Sequence, residues 1–461
     1  MMGTGKWKVE TSRGGPCGRP GETTRVAPNI ERGSAAPLCG KPSAFRPMPY
    51  PLPASSHAGR LGLRACVEAA VQNPPASETR GFPAQQAAKP HVVNPKTGRN
   101  LGRLGLTVAL LVGCLLAAPV ATFEAEQKAS FTVGWSVYVG WNPYYYMAKS
   151  GILRKWADKY GVTVHVQRFD YAPSLDAFVS KNIDACAMTN MEALDMPAAA
   201  GIDTTAVILG DYSNGNDAVL VRHDLTMAQM RGRSVLLVEN TVSQYLFERA
   251  MALSGLADQI NSVRFINTSD SDIAAAFLTD PTKEVVVTWK PLVSQIVRAP
   301  GVKILFNSSR LPGDILDLLV VRTDVLNRPD GSGQRFAKAL VGAWYEVMGQ
   351  MSKSGPETDK VLAEIAEASQ DSLPSYKEQL LTTHMFYTPQ SAAQMVLSPD
   401  LAKTMDLVRQ FCFVHGLLGE RTRSPDEVAI RFPDGKVLGK ADHVRLRFDA
   451  GYMQLSAQGK L

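Results

Sequence analysis

The amino-acid sequence predicts an α/β protein of two lobes with a ligand cleft between them. Three observations carry this. From Phe131 to Leu209, short strand-like and helix-like runs alternate as β-α-β-α-β-α-β. That order calls for a parallel sheet with helices on both faces. A second run of the same kind occupies residues 218–306. The chain then returns through a strand-like segment, Asp314–Arg322, ahead of a mostly helical stretch over 333–420.

Each element has its own signal. Phe131–Val139 reads as a strand. Asn142 and Pro143 open a helix, with Asn at the N-cap and Pro at the first helical position. It is expected to run to about Tyr160 and stop at Gly161. Val162–Phe169 alternates as a strand, Ser174–Asn182 is helical, and Asp184–Met188 is a buried strand. Thr189-Asn190-Met191-Glu192 has the spacing of a capping box opening a further helix. Thr204–Leu209 is the next strand. In the second lobe, Ala218–Arg222, Ser234–Val238, Val263–Asn267, Glu284–Trp289 and Val302–Phe306 read as strands. Thr241-Val242-Ser243-Gln244 resembles a second capping box, with a helix to Gly255. Crossings between the lobes are expected near Asp211–Asp217 and Gly313–Asp317. The last residues, with the turn Pro433-Asp434-Gly435, read as a small β appendage.

The chain has 461 residues and a formal charge of +6, but the charge is unevenly placed. Residues 1–100 hold 14 Lys/Arg against 5 Asp/Glu, and the remainder 35 against 38. The folded part is therefore slightly acidic, and it carries no basic face with nucleic-acid motifs. The first hundred residues also hold 14 of the 29 prolines, so residues 1–93 are expected to be a disordered or misassigned N-terminal extension. Residues 94–125 read as a secretory signal. Lys96, Arg99 and Arg103 precede an apolar run from Leu104 to Leu116, and small residues follow around Ala121 and Ala125. The run is too short for a spanning helix. Its internal position points to translation starting near Val92 or Val93. Leu111-Val112-Gly113-Cys114 resembles a lipoprotein box, which would anchor the chain through Cys114. Beyond Ala125 only Cys186 and Cys412 remain: too few for a metal cluster, with a disulfide open to them in an oxidising compartment. The expected organisation is 126–216 as the first part of lobe one, 217–312 as lobe two, 313–420 as the return to lobe one with its helices, and 421–461 as the appendage.

Three stretches carry a resemblance: GWSVYVGWNPYYYMAKSGIL (134–153), RFDYAPSLDAF (168–178) and DACAMTNMEALDMPAAAGIDTTAVILGDYSNGNDAVLV (184–221). They resemble the nitrate/sulfonate/taurine type of ABC-importer binding proteins. Within that group they are most similar to the periplasmic binding proteins encoded beside urea carboxylase. The resemblance spans roughly residues 130–400. It implies a type II periplasmic-binding-protein fold, a periplasmic location, an ABC permease and ATPase as partners, and urea or a related nitrogen compound as ligand. A monomer without cofactor or metal is expected.

Ligands of open α/β sheets bind outside the carboxyl ends of the strands. The candidates there are Trp135, Trp141 and Asn142 after the first strand, and Asp170 and Tyr171 after the second. Thr189, Asn190 and Glu192 follow the third, and Asp211 and Asp217 the fourth. Glu239, Thr241 and Trp289 complete the set from lobe two. Apart from Lys290, these segments lack cations. A sulfonate or nitrate wants Arg, Lys or helix N-termini. Helix starts at Asn142, Asn190 and Thr241 leave an anion open, while Asp170, Glu192, Asp211 and Glu239 oppose it. Urea or a guanidinium ion suits aromatics and carboxylates better. An alkylsulfonate, nitrate or a thiamine precursor is the alternative. Structural roles compete throughout: Trp135 and Trp141 as packing, Asp170 and Glu192 as helix caps.

No enzyme motif stands. The chain has no GxSxG, HExxH, P-loop or GxGxxG, and His165, His223, His384, His415 and His443 are scattered. Phe411-Cys412-Phe413 is only a fragment of the cysteine-rich iron motif of the thiamine-pyrimidine synthase, which shares this fold.

Overall fold

The computed structural model describes residues 128–461. The signal-type segment, Cys114 and the proline-rich extension lie outside the described residues.

Lobe one begins with β1 (Ala129–Trp135), which pairs in parallel with β2 (Val162–Arg168) and with β3 (Ala185–Thr189). Two helices, α1 (Pro143–Lys149) and α2 (Ile152–Lys159), stand where one was expected. Gly151 at φ +79° breaks the run, a conformation that costs glycine little and other residues much. α3 (Tyr171–Val179) leads into β3, all five residues of which are buried. No regular helix is capped by Thr189. A five-residue π turn, Leu194–Ala198, holds Pro197 instead. β4 (Thr204–Ser213) is the longest strand.

Lobe two is a five-stranded sheet in the order β7-β6-β8-β5-β9. Its strands are β5 (Ala218–Arg222), β6 (Ser234–Leu237), β7 (Arg264–Asn267), β8 (Val285–Thr288) and β9 (Val302–Asn307). β6 runs parallel to β7 and β8, and β5 antiparallel to β8 and β9. The helices are α4 (Val242–Leu253), α5 (Ile273–Thr279) and α6 (Leu292–Ile296). Leu220, Leu236, Phe277, Val286 and Ile296 form an apolar cluster of this lobe's own.

The chain re-enters lobe one as β10 (Leu316–Arg322), antiparallel between β3 and β4. The first sheet is therefore mixed, not parallel as the alternation suggested. Flanked by strands on both edges, β10 is buried along its whole length, which its apolar run LDLLVVR permits. Asp317 is the one acid in that run, and the register sets it beside Thr189 on β3 and Asp211 on β4.

Helices α7 (Ser332–Met351), α8 (Pro356–Ala366) and α9 (Leu373–Leu380) follow, then β11 (Thr383–Met385), α10 (Pro389–Val396) and α11 (Pro399–Val414). The terminal residues do not form an appendage. β12 (Ala429–Arg431), β13 (Val437–Leu438) and β14 (Val444–Phe448) extend the lobe-one sheet, with β14 parallel to β4, and α12 (Gly451–Ala457) closes the chain. The alternation of VRLRF explains this: Val444, Leu446 and Phe448 face inward, and the arginines do not.

The two crossings lie side by side. Ser213 and Ser308 share a hydroxyl hydrogen bond of 2.6 Å, and the Gly215 amide donates to Ser308 Oγ at 2.7 Å. Cys186 in β3 and Cys412 in α11 are both buried free thiols, so the disulfide is not formed. Burial pushes the Cys186 thiol up to about 12, which leaves it unreactive at neutral pH. Among the described residues no helix is long and apolar enough to cross a membrane.

Candidate functional site

Between the lobes lies a small cavity lined by Tyr138, Trp141, Tyr171, Thr189, Asp217, Val242, Trp289, Ile315 and Asp317. Lobe one supplies Tyr138 and Trp141 from the turn after β1, Tyr171 from the start of α3, and Thr189 from the end of β3. Lobe two supplies Val242 at the start of α4 and Trp289 just after β8. Asp217, Ile315 and Asp317 lie at or beside the crossings. The cavity thus lies near strand ends, where open α/β sheets bind ligands.

Four aromatic rings form one wall in sequence. Tyr138 meets Trp141 edge-on at 5.1 Å, Trp141 meets Tyr171 at 5.3 Å, and Tyr171 meets Trp289 edge-on at 5.8 Å. The Trp141 indole N–H is fully buried and donates to no described group.

The opposite wall is acidic. Asp217 and Asp317 are each 3% exposed, and Asp211 behind them is fully buried. Tyr138 donates to Asp211 Oδ1 at 3.3 Å, and Asn216 Nδ2 donates to the Tyr138 hydroxyl at 3.0 Å. Asp211 Oδ2 and Asp317 Oδ2 are buried and accept from no described N–H or O–H donor. Two adjacent carboxyls out of water cannot both ionise cheaply. Burial raises both: Asp211 to about 7, and Asp317 further, because Asp211 and Asp217 add like charge. The pair holds at least one proton at neutral pH. Burial likewise raises Asp217 to about 7. Among the described residues no cation lines the cavity. Lys290 is buried nearby, and its amide donates to the Asn216 carbonyl at 3.2 Å.

Five of the sequence-predicted residues line the cavity: Trp141, Tyr171, Thr189, Asp217 and Trp289. Asp211 and Glu192 stand directly behind the wall. Glu192 is not a helix cap in its own lobe. Its Oε1 accepts from the Val242 amide of lobe two at 2.9 Å, and its Oε2 accepts from the Thr189 hydroxyl.

Six predicted residues lie elsewhere. Trp135 is buried in a separate groove of lobe one with Tyr145, Lys149 and Arg168. Asn142 caps nothing, since its backbone is already helical, and its side chain donates to Ser369 Oγ at 2.9 Å. Asp170 is exposed at the start of α3, and the carboxylate at that amide end is Asp270, accepting from Tyr171 N at 3.3 Å. Asn190 pins the second crossing, donating to the Asp314 carbonyl and accepting from Leu316 N, both at 3.0 Å. Glu239 is half-buried on the loop after β6. Thr241 caps α4 by accepting from Ser243 N at 3.2 Å, while Gln244 accepts from Asn240 N at 2.9 Å, one residue earlier than a capping box requires.

Sequence reasoning missed Val242, Ile315 and Asp317, while Tyr138 stands among the strand-end positions after the first strand but was not put forward as a contact. Asp317 had a legible signal: a lone acid inside a continuous apolar strand needs a reason to be there. Among the described residues no group of three or more His, Cys, Asp or Glu is arranged to hold a metal ion.

No family model matches the sequence, and no curated protein matches it. Solved structures do. The alkanesulfonate-binding protein SsuA of Xanthomonas axonopodis pv. citri, bound to MOPS, superposes with a TM-score of 0.52 at 16% identity. The match covers 65% of this chain and 97% of that one. A protein of Bordetella bronchiseptica RB50 gives 0.52 at 14% identity, over 72% of this chain and 98% of that one. At these identities the likeness speaks for architecture alone. Two lobes, two sheets, a double crossing and a cavity between them agree with it, and the chain has the periplasmic-binding-protein fold.

Proposed function

We propose that the chain is the extracytoplasmic solute-binding component of an ABC importer, and that it takes a small planar nitrogen compound, guanidinium or urea. One observation carries the ligand reading: a small cavity of matching size, walled by aromatics and carboxyls, with no cation among the described residues that line it. The space open to the centre of a water-sized sphere is about 20 Å³, equivalent to a sphere of radius about 1.7 Å. In a trigonal planar molecule of four heavy atoms, the outer atoms sit about 1.2–1.4 Å from the central one. Guanidinium and urea therefore suit the space. Their N–H groups would meet Asp217 and Asp317, and the four rings offer faces for stacking or cation–π contact. The importer partner and the location outside the cytoplasm follow from the fold by analogy.

A second reading is an alkanesulfonate, the ligand class named for the Xanthomonas structure. Its charge would face two buried acids, and its carbon chain exceeds the cavity.

A thermal-shift series on the full chain decides between them. The probes are urea, guanidinium at low millimolar concentration, taurine, nitrate and a thiamine pyrimidine. A ligand at a hundred times its Kd stabilises the folded state by about 2.7 kcal/mol. A rise with guanidinium or urea alone is expected. A rise with taurine alone overturns the ligand reading in favour of the sulfonate one, and a rise with nitrate alone overturns both.

A further inference from the structure

We infer that Glu192 is a built-in anion whose carboxylate occupies the positive N-terminus of α4, draws the lobes together over the cavity, and denies that position to an anionic ligand. This inference rests on the proposed binding function and names what sets its ligand class.

A helix N-terminus presents free backbone N–H groups and a partial positive charge, and it commonly holds an anion. α4 has twelve residues, and its first amide, Val242 N, points across the cleft. The group it meets is not solvent. Glu192 Oε1, carried by lobe one, accepts from that amide at 2.9 Å. Glu192 is 1% exposed. Its other contacts are the Thr189 hydroxyl, donating to Oε2, and the Tyr171 hydroxyl. Tyr171 and Thr189 are themselves tied, Thr189 N donating to the Tyr171 hydroxyl at 3.2 Å. Val242, Thr189 and Tyr171 all line the cavity. One carboxylate thus joins two lobe-one wall residues to one wall residue of lobe two.

A second feature marks this turn as a binding position. The Ser243 hydroxyl, one residue into α4 from Val242, is completely buried and has no hydrogen-bond partner among the described residues. Removing Glu192 would leave a buried helix end with an amide and a hydroxyl both unsatisfied, which is an invitation to an anion from outside. The donors around Glu192 favour its ionised form: the Val242 amide and the hydroxyls of Thr189 and Tyr171 all meet its carboxyl. Burial raises Glu192, but its donors pull it back. Burial raises Asp195 far more, with the Glu192 charge adding to it.

The test is calorimetric titration of the full chain with nitrate, methanesulfonate and guanidinium, for the native protein, Glu192→Ala and Glu192→Gln. Glu192→Ala is expected to bind nitrate or methanesulfonate at least tenfold more tightly than the native chain, and guanidinium at least tenfold less tightly. Glu192→Gln keeps the shape and loses the charge. If Glu192→Ala does not fold, Glu192→Gln still reports through hydrogen exchange, where amides in 238–245 should lose protection about tenfold as the cross-lobe bond weakens. Native affinities for both probe classes, together with native exchange over 238–245, would overturn the inference. A native chain that ignores guanidinium and urea overturns the ligand reading instead. The anion titration and the exchange experiment on the variants still decide the role of Glu192.

Discussion

Asp217→Asn is expected to weaken guanidinium binding about a hundredfold while making the empty protein less sensitive to pH. Removing one member of a buried, hydrogen-bonded charge pair typically costs about 2–5 kcal/mol, and each tenfold in affinity is about 1.4 kcal/mol. The pH dependence follows from the same burial. Asp211 and Asp217 titrate near 7 in the empty folded chain, because burial opposes their ionisation. Unfolded aspartates titrate near 3.9. Between these values the folded state holds more protons than the unfolded one, so stability falls as pH rises. The contribution is complete below about pH 4 and is lost as pH passes through about 7. The melting temperature of the empty chain should therefore drop from pH 5 to pH 8, and Asp217→Asn should make that slope shallower. Guanidinium acts in the opposite sense. It wants ionised carboxyls, so its affinity should climb over the same interval. Thermal melts at pH 5, 6, 7 and 8, with and without guanidinium, check both. A flat profile for the empty native chain would mean that these carboxyls are better solvated than their burial implies.

The second large effect concerns Gly140. A Cβ atom there would stand 2.1 Å from Asp211 Oδ2 and 2.7 Å from its carboxyl carbon. Asp211 has no freedom to retreat, since it is held by Tyr138 in front and flanked by Asp317 on the neighbouring strand. Gly140→Ala should therefore displace the carboxyl pair. The expected cost is about 3 kcal/mol of stability, at the upper end for overpacking, with loss of guanidinium binding. Gly349→Ala supplies the contrast. It lies inside α7 with nothing within 4 Å of its added Cβ, and it should stabilise the chain by up to about 1 kcal/mol. Chemical denaturation of the two variants measures both. Equal stabilities for Gly140→Ala and the native chain would refute the close approach.

Much of the architecture was legible in the sequence. Strand and helix alternation located both lobes, and the strand-end rule pointed to Trp141, Tyr171, Thr189, Asp217 and Trp289. What it could not supply was pairing between distant segments. β10 enters between β3 and β4 only because of tertiary contacts, so Asp317 met Asp211 unannounced. Glu192 was ambiguous for the same reason. Its spacing from Thr189 suggested a local cap, yet its partner amide lies 50 residues further on, in the other lobe. Trp135 and Asp170 misled because proximity to a strand end in sequence does not fix which way a side chain turns. The amphipathic VRLRF run was read as a strand without a sheet to join.

That last strand has a consequence for the order in which the molecule takes shape. Lobe two is contiguous, and its five strands lie within 218–307. It can close its own sheet while later residues are still being synthesised. Lobe one cannot. β4 needs β10 on one side and β14 on the other, and β14 pairs with residues some 240 positions earlier. Closing so long a loop is entropically costly and slow. Lobe two can thus stand ready first, and the sheet of lobe one is complete only when β14 arrives to take the free edge of β4.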